Sequence, residues 1–264
     1  MSAPVKLPLS GRRIVVTRTR EQASELAGKL SALGATVVEL PVLRISREVS
    51  KQTLAEVFLE FGSYDWLVFT SANGVHHFFG EFFRIYDDLR SLGIIRVACV
   101  GEATAKAVSD LHLKVEVMPK KATAEALAEE MTATGSMDSA KVLVITGNLN
   151  RETLVTKLVE ARAIVDTLQV YKTESVDVSS DPQTGDFRRL GADAVLFASS
   201  SSAQCFADQR QHLALEPGAK TPLYGSIGPQ TSATLRAAGL PVDFEAATPG
   251  LDELVAALVK ALKP

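Results

Sequence analysis

Four short turns of small and hydroxyl-bearing residues are the first places in this sequence where chemistry could occur. Each turn follows an apolar run and precedes a helical pattern, so its backbone N–H groups and hydroxyls could bind an anion. Helix capping, which Ser, Thr and Asn perform in any α/β protein, is the simpler explanation of any one turn. The candidate binding residues in these turns are Ser71, Asn73, Gly101, Thr104, Ser199, Ser200, Ser201, Gly228 and Thr231.

Two arginines lie in further turns that follow predicted strands. Arg18 follows the first apolar run of the chain, and Arg151 occupies the equivalent turn later in the sequence. A guanidinium presents a rigid fork of donors that matches a carboxylate. Both residues are therefore candidates for binding a carboxylate, with an ordinary surface position as the alternative.

Familiar cofactor and nucleophile motifs are absent from the sequence. It contains no GxGxxG, no GxxxxGK[ST] and no GxSxG, so nucleotide chemistry and a serine-hydrolase mechanism lose support. The four histidines lack metal-ligand spacing, and the pair His76–His77 is interpreted as a surface or packed pair. Cys99 and Cys205 form neither a CxxC motif nor a cluster with histidine. We predict no cofactor and no metal site.

Length, charge and hydropathy restrict the class of protein. The 264 residues exceed the roughly 150 typical of one domain, which predicts two domains. A net charge of -3, from 28 basic and 31 acidic residues, does not favour nucleic-acid binding, because phosphate backbones need a concentrated basic face. No apolar run is long enough to cross a membrane, and the first residues lack the apolar core of a signal peptide. These features predict a cytoplasmic protein.

Strand and helix patterns alternate along the whole chain. Short β-branched runs are followed by amphipathic stretches, and the first such helix ends at Gly34. This alternation predicts an α/β protein with largely parallel sheets. The predicted strands are 13–17, 36–40, 66–70, 97–100, 115–118, 142–146, 164–167, 194–198, 223–227 and 242–244.

An internal repeat relates the two halves of the sequence. The segment 68–79, VFTSANGVHHFF, aligns with 196–206, LFASSSSAQCF, and pairs Phe69 with Phe197, 128 positions later. GEAT at 101–104 aligns with GPQT at 228–231, and 15–40 resembles 142–168, at nearly the same offset. Three segments at one offset predict two copies of a single α/β unit.

The repeat alone leaves the domain boundary open. Extended segments, 41–46 (PVLRIS) and 170–174 (VYKTE), follow the second strand of each copy. If both are crossovers, the chain leaves the first domain near Pro41, builds a second domain and returns near Lys172, which gives a bilobal protein. The alternative is two sequential domains divided near Ser139.

In order along the chain, these motifs resemble the uroporphyrinogen-III synthase family. The resemblance runs from about Gly11 to Leu262 and rests on VVTRTREQASELAGKLSALGATVVELPVLRI, FTSANGV, VGEATAKAV, VYKT and IGPQTSATLRAAGLPVDFEAATPGLDELVAAL. The chain departs from the family pattern at Thr146-Gly147, where Arg-Gly is usual, and at 197–201, where FTSPS is usual. Both departures lie in turns that are candidates for substrate contact.

The resemblance implies two similar parallel-sheet α/β domains joined by a two-stranded linker. It favours the discontinuous arrangement, with a first domain of 1–41 plus 173–264 and a second domain of 42–172. The substrate in the family is hydroxymethylbilane, a linear tetrapyrrole with eight carboxylates. The reaction closes it to uroporphyrinogen III with loss of water and inversion of ring D, without a metal or organic cofactor.

Tyr171 matches the cleft tyrosine of the family and is the candidate catalytic residue. Its phenol stays protonated at pH 7, because its reference pKa is near ~10, and could donate a proton to the departing hydroxyl. Packing at a domain junction is the alternative role for this side chain. A small-anion binding or regulatory module without catalysis is the alternative function. Nothing in the sequence indicates an obligate dimer, so we expect a monomer.

Overall fold

Two five-stranded sheets organise this protein, as seen in a computed structural model. The structure describes residues 7–17, 20–150 and 152–263, with only the backbone described for 20–23. Residues up to Arg44 and from Glu174 onward form one compact unit, here unit 1, and Ile45–Thr173 form unit 2.

The strands and helices alternate as the sequence predicts, except that the strand predicted at 242–244 is found at Phe244–Glu245. The strands are β1 (Arg13–Val16), β2 (Thr36–Glu39), β3 (Leu43–Arg47), β4 (Trp66–Phe69), β5 (Arg96–Cys99), β6 (Lys141–Gly147), β7 (Ile164–Ser175), β8 (Ala194–Phe197), β9 (Leu223–Ser226) and β10 (Phe244–Glu245). The helices are α1 (Arg20–Ala32), α2 (Lys51–Leu59), α3 (Ala72–Ile85), α4 (Glu102–Ser109), α5 (Ala124–Ala133), α6 (Thr153–Glu160), α7 (Pro182–Leu190), α8 (Ser200–Asp208), α9 (Pro229–Ala237) and α10 (Leu251–Ala261).

The sheet of unit 1 has the strand order β10-β9-β8-β1-β2, and its pairings are parallel. Parallel strands need crossovers, which the helices supply on the faces of the sheet. Leu26 and Leu30 lie one turn apart on α1, as do Leu254 and Leu258 on α10, and all four are fully buried. They pack with Ile14 and other residues of β1 and β8 into one core.

The sheet of unit 2 has the order β3-β7-β6-β4-β5 and is covered on both faces. Alternate residues of β6 point to opposite faces, as the period of a strand requires. Leu143 and Ile145 pack in the core that contains α3, here the α3 face. Val142 and Val144 pack instead with residues of α5 and α6. This burial on both sides explains why β4 and β6 read as continuous apolar runs.

The repeat found in the sequence has a direct structural counterpart. The strand order β9-β8-β1-β2 in unit 1 recurs as β5-β4-β6-β7 in unit 2, with the strands that the sequence aligns in matching places. An edge strand differs between the units, since β10 flanks β9 whereas β3 flanks β7. The prediction of two similar parallel-sheet α/β units is confirmed.

The predicted strand at 115–118 is wrong as a strand. Its only ladder contact among the described residues is an isolated parallel bridge between Val117 and Ala98 of β5. Val117 receives a hydrogen bond from the Cys99 N–H at 3.0 Å, and the next donor along this edge would belong to residue 119. That residue is Pro119, which has no N–H, so the ladder stops after one step.

The predicted strand at 164–167 is longer in the structure, because it continues through the expected crossover to Ser175 as β7. The chain passes from unit 1 to unit 2 within β3 and returns within β7. β3 and β7 are neighbours in the sheet, and the Glu48 N–H donates to the Val170 carbonyl at 3.3 Å. Within the part of the chain that the structure describes, none of the helices combines the length and apolar character that crossing a membrane requires.

Candidate functional site

The carboxyl edge of each sheet collects the turns that the sequence singles out. Because the strands of one parallel sheet end at the same edge, the turns after β4, β5 and β6 lie together in unit 2. The turns after β8 and β9 lie together in unit 1 in the same way. Each edge therefore presents helix N-termini, which attract anions.

Ser71 and Ser199 have the same role in the two units. Ser71 precedes α3 and accepts a hydrogen bond from the Gly74 N–H at 3.0 Å, with φ −158° and ψ 155°. Ser199 precedes α8 and accepts from the Ser202 N–H at 3.1 Å, with φ −164° and ψ 155°. Both hydroxyls are thus helix caps, as the simpler explanation of these turns required.

Gly101 and Gly228 directly precede α4 and α9 and provide no side-chain cap. Thr104 and Thr231 lie at the third position of these helices, and their side chains are buried, at 6% and 4% exposure. The Thr104 N–H donates to the Gly101 carbonyl at 3.0 Å, and the Gly228 N–H donates to the Oγ of Ser226 at 3.2 Å, so these two donors are already used within the protein. The role of these turns in ligand binding stays a prediction.

The remaining candidates lie at helix starts or outside the described residues. Asn73 lies in the first turn of α3 and is half-buried, as are Ser200 and Ser201 at the start of α8. Arg18 and Arg151 lie outside the described residues. At the two departures from the family pattern, Thr146 is buried and Ala198 is half-buried.

Tyr171 is the centre of the polar cluster in unit 2. Its hydroxyl lies 3.0 Å from the Oγ of Ser71, and its ring stacks on His77 with centroids 5.6 Å apart and an interplanar angle of 18°. Burial raises the pKa of Tyr171, and the hydrogen bond with Ser71 opposes this shift only in part. The phenol is therefore fully protonated at neutral pH and can donate a proton or a hydrogen bond.

His77 belongs to the same cluster as a neutral imidazole. Its pKa is lowered, mainly by burial and further by the neighbouring His76. One turn further along α3, the Glu81 carboxylate is buried and is held in a bidentate ion pair by Arg47 of β3, with Nη2 2.8 Å from Oε2. This ion pair ties α3 to the edge strand and fixes the helix that carries Ser71 and His77.

Two residues that contact Tyr171 were not recognised as its neighbours from the sequence. His77 was interpreted only as a surface or packed pair with His76, and the structure shows that it packs on Tyr171. Gly147 ends β6 directly beneath the Tyr171 ring. The sequence placed Gly147 in a turn that is a candidate for substrate contact, but it did not place this glycine beside Tyr171. The signal for that contact is a glycine that closes an apolar strand, since such a residue often permits a close approach.

The described residues hold no group of three or more His, Cys, Asp or Glu side chains placed to bind a metal ion. Cys99 and Cys205 are buried free thiols, and burial raises the pKa of Cys99 to about 12. A thiol with such a pKa is not a nucleophile at neutral pH. The carboxyl edge of the sheet in unit 2 therefore offers hydrogen bonding by neutral hydroxyls and helix N–H groups, together with the protonated phenol of Tyr171.

Comparisons with known proteins identify relatives of this chain. A family model described as uroporphyrinogen-III synthase HemD matches residues 24–256. A uroporphyrinogen-III synthase of Synechococcus elongatus is 29% identical over 259 residues, which cover 95% of this chain and 96% of the relative. One from Chlorobaculum parvum is 24% identical and covers 88% of this chain and 92% of the relative.

Solved structures show the same fold. A crystal structure of a mutant uroporphyrinogen III synthase from Thermus thermophilus matches with a TM-score of 0.67 at 16% identity, covering 96% of this chain and 99% of that one. The Helicobacter pylori uroporphyrinogen-III synthetase matches with a TM-score of 0.62 at 19% identity, covering 96% and 100%. The family model spans most of the sequence, and this chain therefore belongs to the uroporphyrinogen-III synthase family.

Proposed function

We propose that this chain converts hydroxymethylbilane to uroporphyrinogen III, as a lyase of tetrapyrrole biosynthesis. The observation that carries the proposal is the protonated Tyr171 phenol, 3.0 Å from Ser71 at the N-terminus of α3, in a chain of this family. A proton donor beside anion-binding helix ends suits a polyanionic substrate that must lose a hydroxyl.

The eight carboxylates of the substrate are bound by backbone N–H groups and hydroxyls at the carboxyl edges of the sheets. Neutral donors suit this task, because burying a matching number of cations would carry a large desolvation cost. Arg18 and Arg151, the two arginines among the proposed binding residues, add forked donors. The proposed binding residues are Arg18, Ser71, Asn73, Gly101, Thr104, Arg151, Ser199, Ser200, Ser201, Gly228 and Thr231.

Tyr171 is the general acid for the first step. Its Oη proton passes to the hydroxyl of ring A as the C–O bond breaks, which releases water and leaves a resonance-stabilised azafulvenium ion. Ring D attacks this ion through its substituted carbon, and the resulting spiro intermediate reopens and closes with ring D inverted. The proton lost from ring D at the final closure restores the phenol, so the overall change is the loss of one water.

Selectivity is the harder part of this reaction, because hydroxymethylbilane also closes unaided to the isomer without inversion. The protein must hold a flexible chain so that ring D attacks through the less accessible carbon, and this is chiefly positioning. Fixed helix N-termini and the serines that cap them are suited to this positioning, since their donors are already oriented before the substrate arrives.

Units 1 and 2 are the two domains of the proposed enzyme, and the enzyme acts as a cytoplasmic monomer without metal, organic cofactor, nucleic acid or membrane. The near-neutral net charge of -3 supports the absence of a nucleic-acid partner. Light scattering after size-exclusion chromatography tests the monomeric state, which predicts a mass near 28.2 kDa.

The decisive experiment incubates the purified protein, without added cofactor, with freshly generated hydroxymethylbilane. The products are oxidised and the uroporphyrin isomers I and III are separated by chromatography. Predominance of isomer III is the expected result. Isomer I alone, at the rate of a protein-free control, would refute the synthase activity and leave a small-anion binding module as the function.

A further inference from the structure

The strand order of unit 2 poses a steric problem for the contact between Tyr171 and Ser71. Tyr171 lies on β7 and Ser71 follows β4, and β6 lies between these two strands. Neighbouring strands are ~4.8 Å apart, so the phenol must reach across ~10 Å of sheet. Its hydroxyl can meet the serine only if the ring passes over β6.

The passage over β6 is at Gly147. A Cβ placed on Gly147 would lie 2.6 Å from Cε2 and 2.8 Å from Oη of Tyr171, and closer still to Cζ. Ordinary carbon contacts are ~3.5–4.0 Å, so the ring occupies the space of a side chain at this position. The backbone φ of Gly147 is outside the left-handed region, so space rather than conformation calls for glycine here.

A β-bulge places the Tyr171 ring on the α3 face of the sheet. Val165 packs on the opposite face, whereas Leu168 and Val170 pack on the α3 face. Simple alternation would put residue 171 on the face of Val165. The register between β6 and β7 shifts at Thr146/Gly147, so that Gly147 pairs with Tyr171, and Tyr171 packs on the α3 face together with its neighbour Val170.

His77 provides a further contact that holds the Tyr171 ring in place. It lies on α3, and its imidazole stacks on the phenol ring 5.6 Å away. The ring is therefore held by a strand end without a side chain, by a stacked imidazole and by the Ser71 hydroxyl. These contacts leave the phenol few alternative rotamers, which is the preorganisation that a general acid needs.

We infer that Gly147 is a positioning residue of the enzyme. Because Gly147 has no side chain, and because β7 is bulged, the Tyr171 hydroxyl can reach Ser71 at the N-terminus of α3. The inference rests on the proposed function. A methyl group at position 147 displaces the phenol from Ser71 and from the N-terminus of α3, and it leaves the turns after β4 and β5 in place.

The test compares Gly147→Ala with Gly80→Ala in the isomer assay. Gly80 lies on α3, where an added Cβ meets nothing within 4 Å, so it controls for an added methyl in the same unit. Gly147→Ala is expected to lower kcat for isomer III by roughly ten-fold or more, because small misplacements of catalytic groups are costly, with KM nearly unchanged. Gly80→Ala is expected to keep kcat within about two-fold, as surface changes do.

A double-variant cycle separates positioning from a general structural role. In the Tyr171→Phe background, Gly147→Ala should cost less than about two-fold in kcat, because coupled residues are not additive. Wild-type kcat for Gly147→Ala, or a full independent loss on top of Tyr171→Phe, would overturn the inference.

Thermal unfolding tests the packing without any activity. Gly147→Ala should lower Tm by roughly 2–10 °C as an overpacked site, and the loss should fall to less than half in the Tyr171→Ala background. If Gly147→Ala does not fold, the double variant with Tyr171→Ala should, and failure of both overturns the inference. A wild type that makes no isomer III refutes the proposed function alone, because the Tm cycle still measures the packing.

Discussion

The hydroxyls of Tyr171 and Ser71 lie 3.0 Å apart, although 100 residues separate them in the chain. Ser71 also accepts the Gly74 N–H, so one oxygen joins the helix cap to the phenol. A serine that would be only a cap elsewhere thus fixes a proton donor at a helix N-terminus. The two neutral groups can serve an anionic substrate without a competing charge of their own.

Tyr171→Phe tests the proton donor directly. We expect kcat for isomer III to fall by about 10²- to 10⁴-fold, the contribution of a positioned general acid, with the fold retained. Tyr86→Phe is a matched control, since its hydroxyl donates to the Phe58 carbonyl at 3.3 Å in the same unit. An unchanged steady-state rate for Tyr171→Phe would remove this residue from the mechanism.

Ser71→Ala separates the cap from the contact with the phenol. Loss of the cap should lower the free energy of unfolding by about 1 kcal/mol. Ser50→Ala should cost a similar amount, because Ser50 caps α2 through the Thr53 N–H at 3.3 Å. Only Ser71→Ala should also lower kcat, by roughly ten-fold for one lost hydrogen bond. Equal kcat in both variants would show that Ser71 acts as a cap alone.

Because of His77, the free energy of unfolding of unit 2 should decrease as the pH falls below neutrality. Burial lowers the pKa of His77, so the unfolded chain takes up a proton that the folded protein resists. Stability is therefore unaffected above the ordinary histidine pKa of ~6.5 and decreases as the pH falls through it. The titratable and charged groups that act on His77 are His76, Glu81 and Arg47.

The measurement is urea unfolding at pH 7.5 and pH 5.5, followed by the fluorescence of the single tryptophan, Trp66, which is buried in unit 2. His77→Gln should reduce the loss of stability between the two pH values, and His212→Gln, an exposed histidine of unit 1, should not. The same pH dependence of stability in wild type and His77→Gln would contradict the assignment of this dependence to His77.

Asp193 should stabilise unit 1 in a pH-dependent way. Its carboxylate receives hydrogen bonds from Arg12 at 2.8 Å, the Arg13 N–H at 2.9 Å and Lys220 at 2.5 Å. Burial alone would raise the pKa of Asp193, but the bonds from Lys220, the Arg13 N–H and Arg12 outweigh it and lower the pKa. The stabilisation is thus present above the ordinary aspartate pKa of ~3.9 and is lost as the pH falls below it.

Asp193→Asn should therefore lower the free energy of unfolding at pH 7 by about 2 kcal/mol, the range for a hydrogen-bonded buried charge. Far-UV circular dichroism in urea measures this loss, and the difference from wild type should shrink below pH 4. Asp186→Asn, which removes an exposed partner of Arg189, should stay within about 0.5 kcal/mol. A free energy of unfolding equal to that of wild type for Asp193→Asn at pH 7 would show that the three hydrogen bonds make no net contribution to stability.

Reading the sequence was enough to predict the class of fold, the duplicated unit and the order of the motifs that mark the family. These features depend on local patterns: the period of apolar residues, the glycine after α1, and serines before α3 and α8. Ser71 could be named from such patterns, whereas Tyr171 was named from the resemblance of its VYKT segment to the family. The missing strand at 115–118 shows the limit, since the apolar pattern is present but Pro119 cannot donate the next hydrogen bond.

The tertiary structure alone decided how the site is assembled. That Tyr171 crosses β6 at Gly147 depends on the strand order and on one bulge, which places Tyr171 on the α3 face. The stacking of His77 and the ion pair between Arg47 and Glu81 likewise join segments distant in sequence. A hydropathy pattern records which residues are buried but not which of them meet across a sheet, because strand order and register are set by packing of the whole unit.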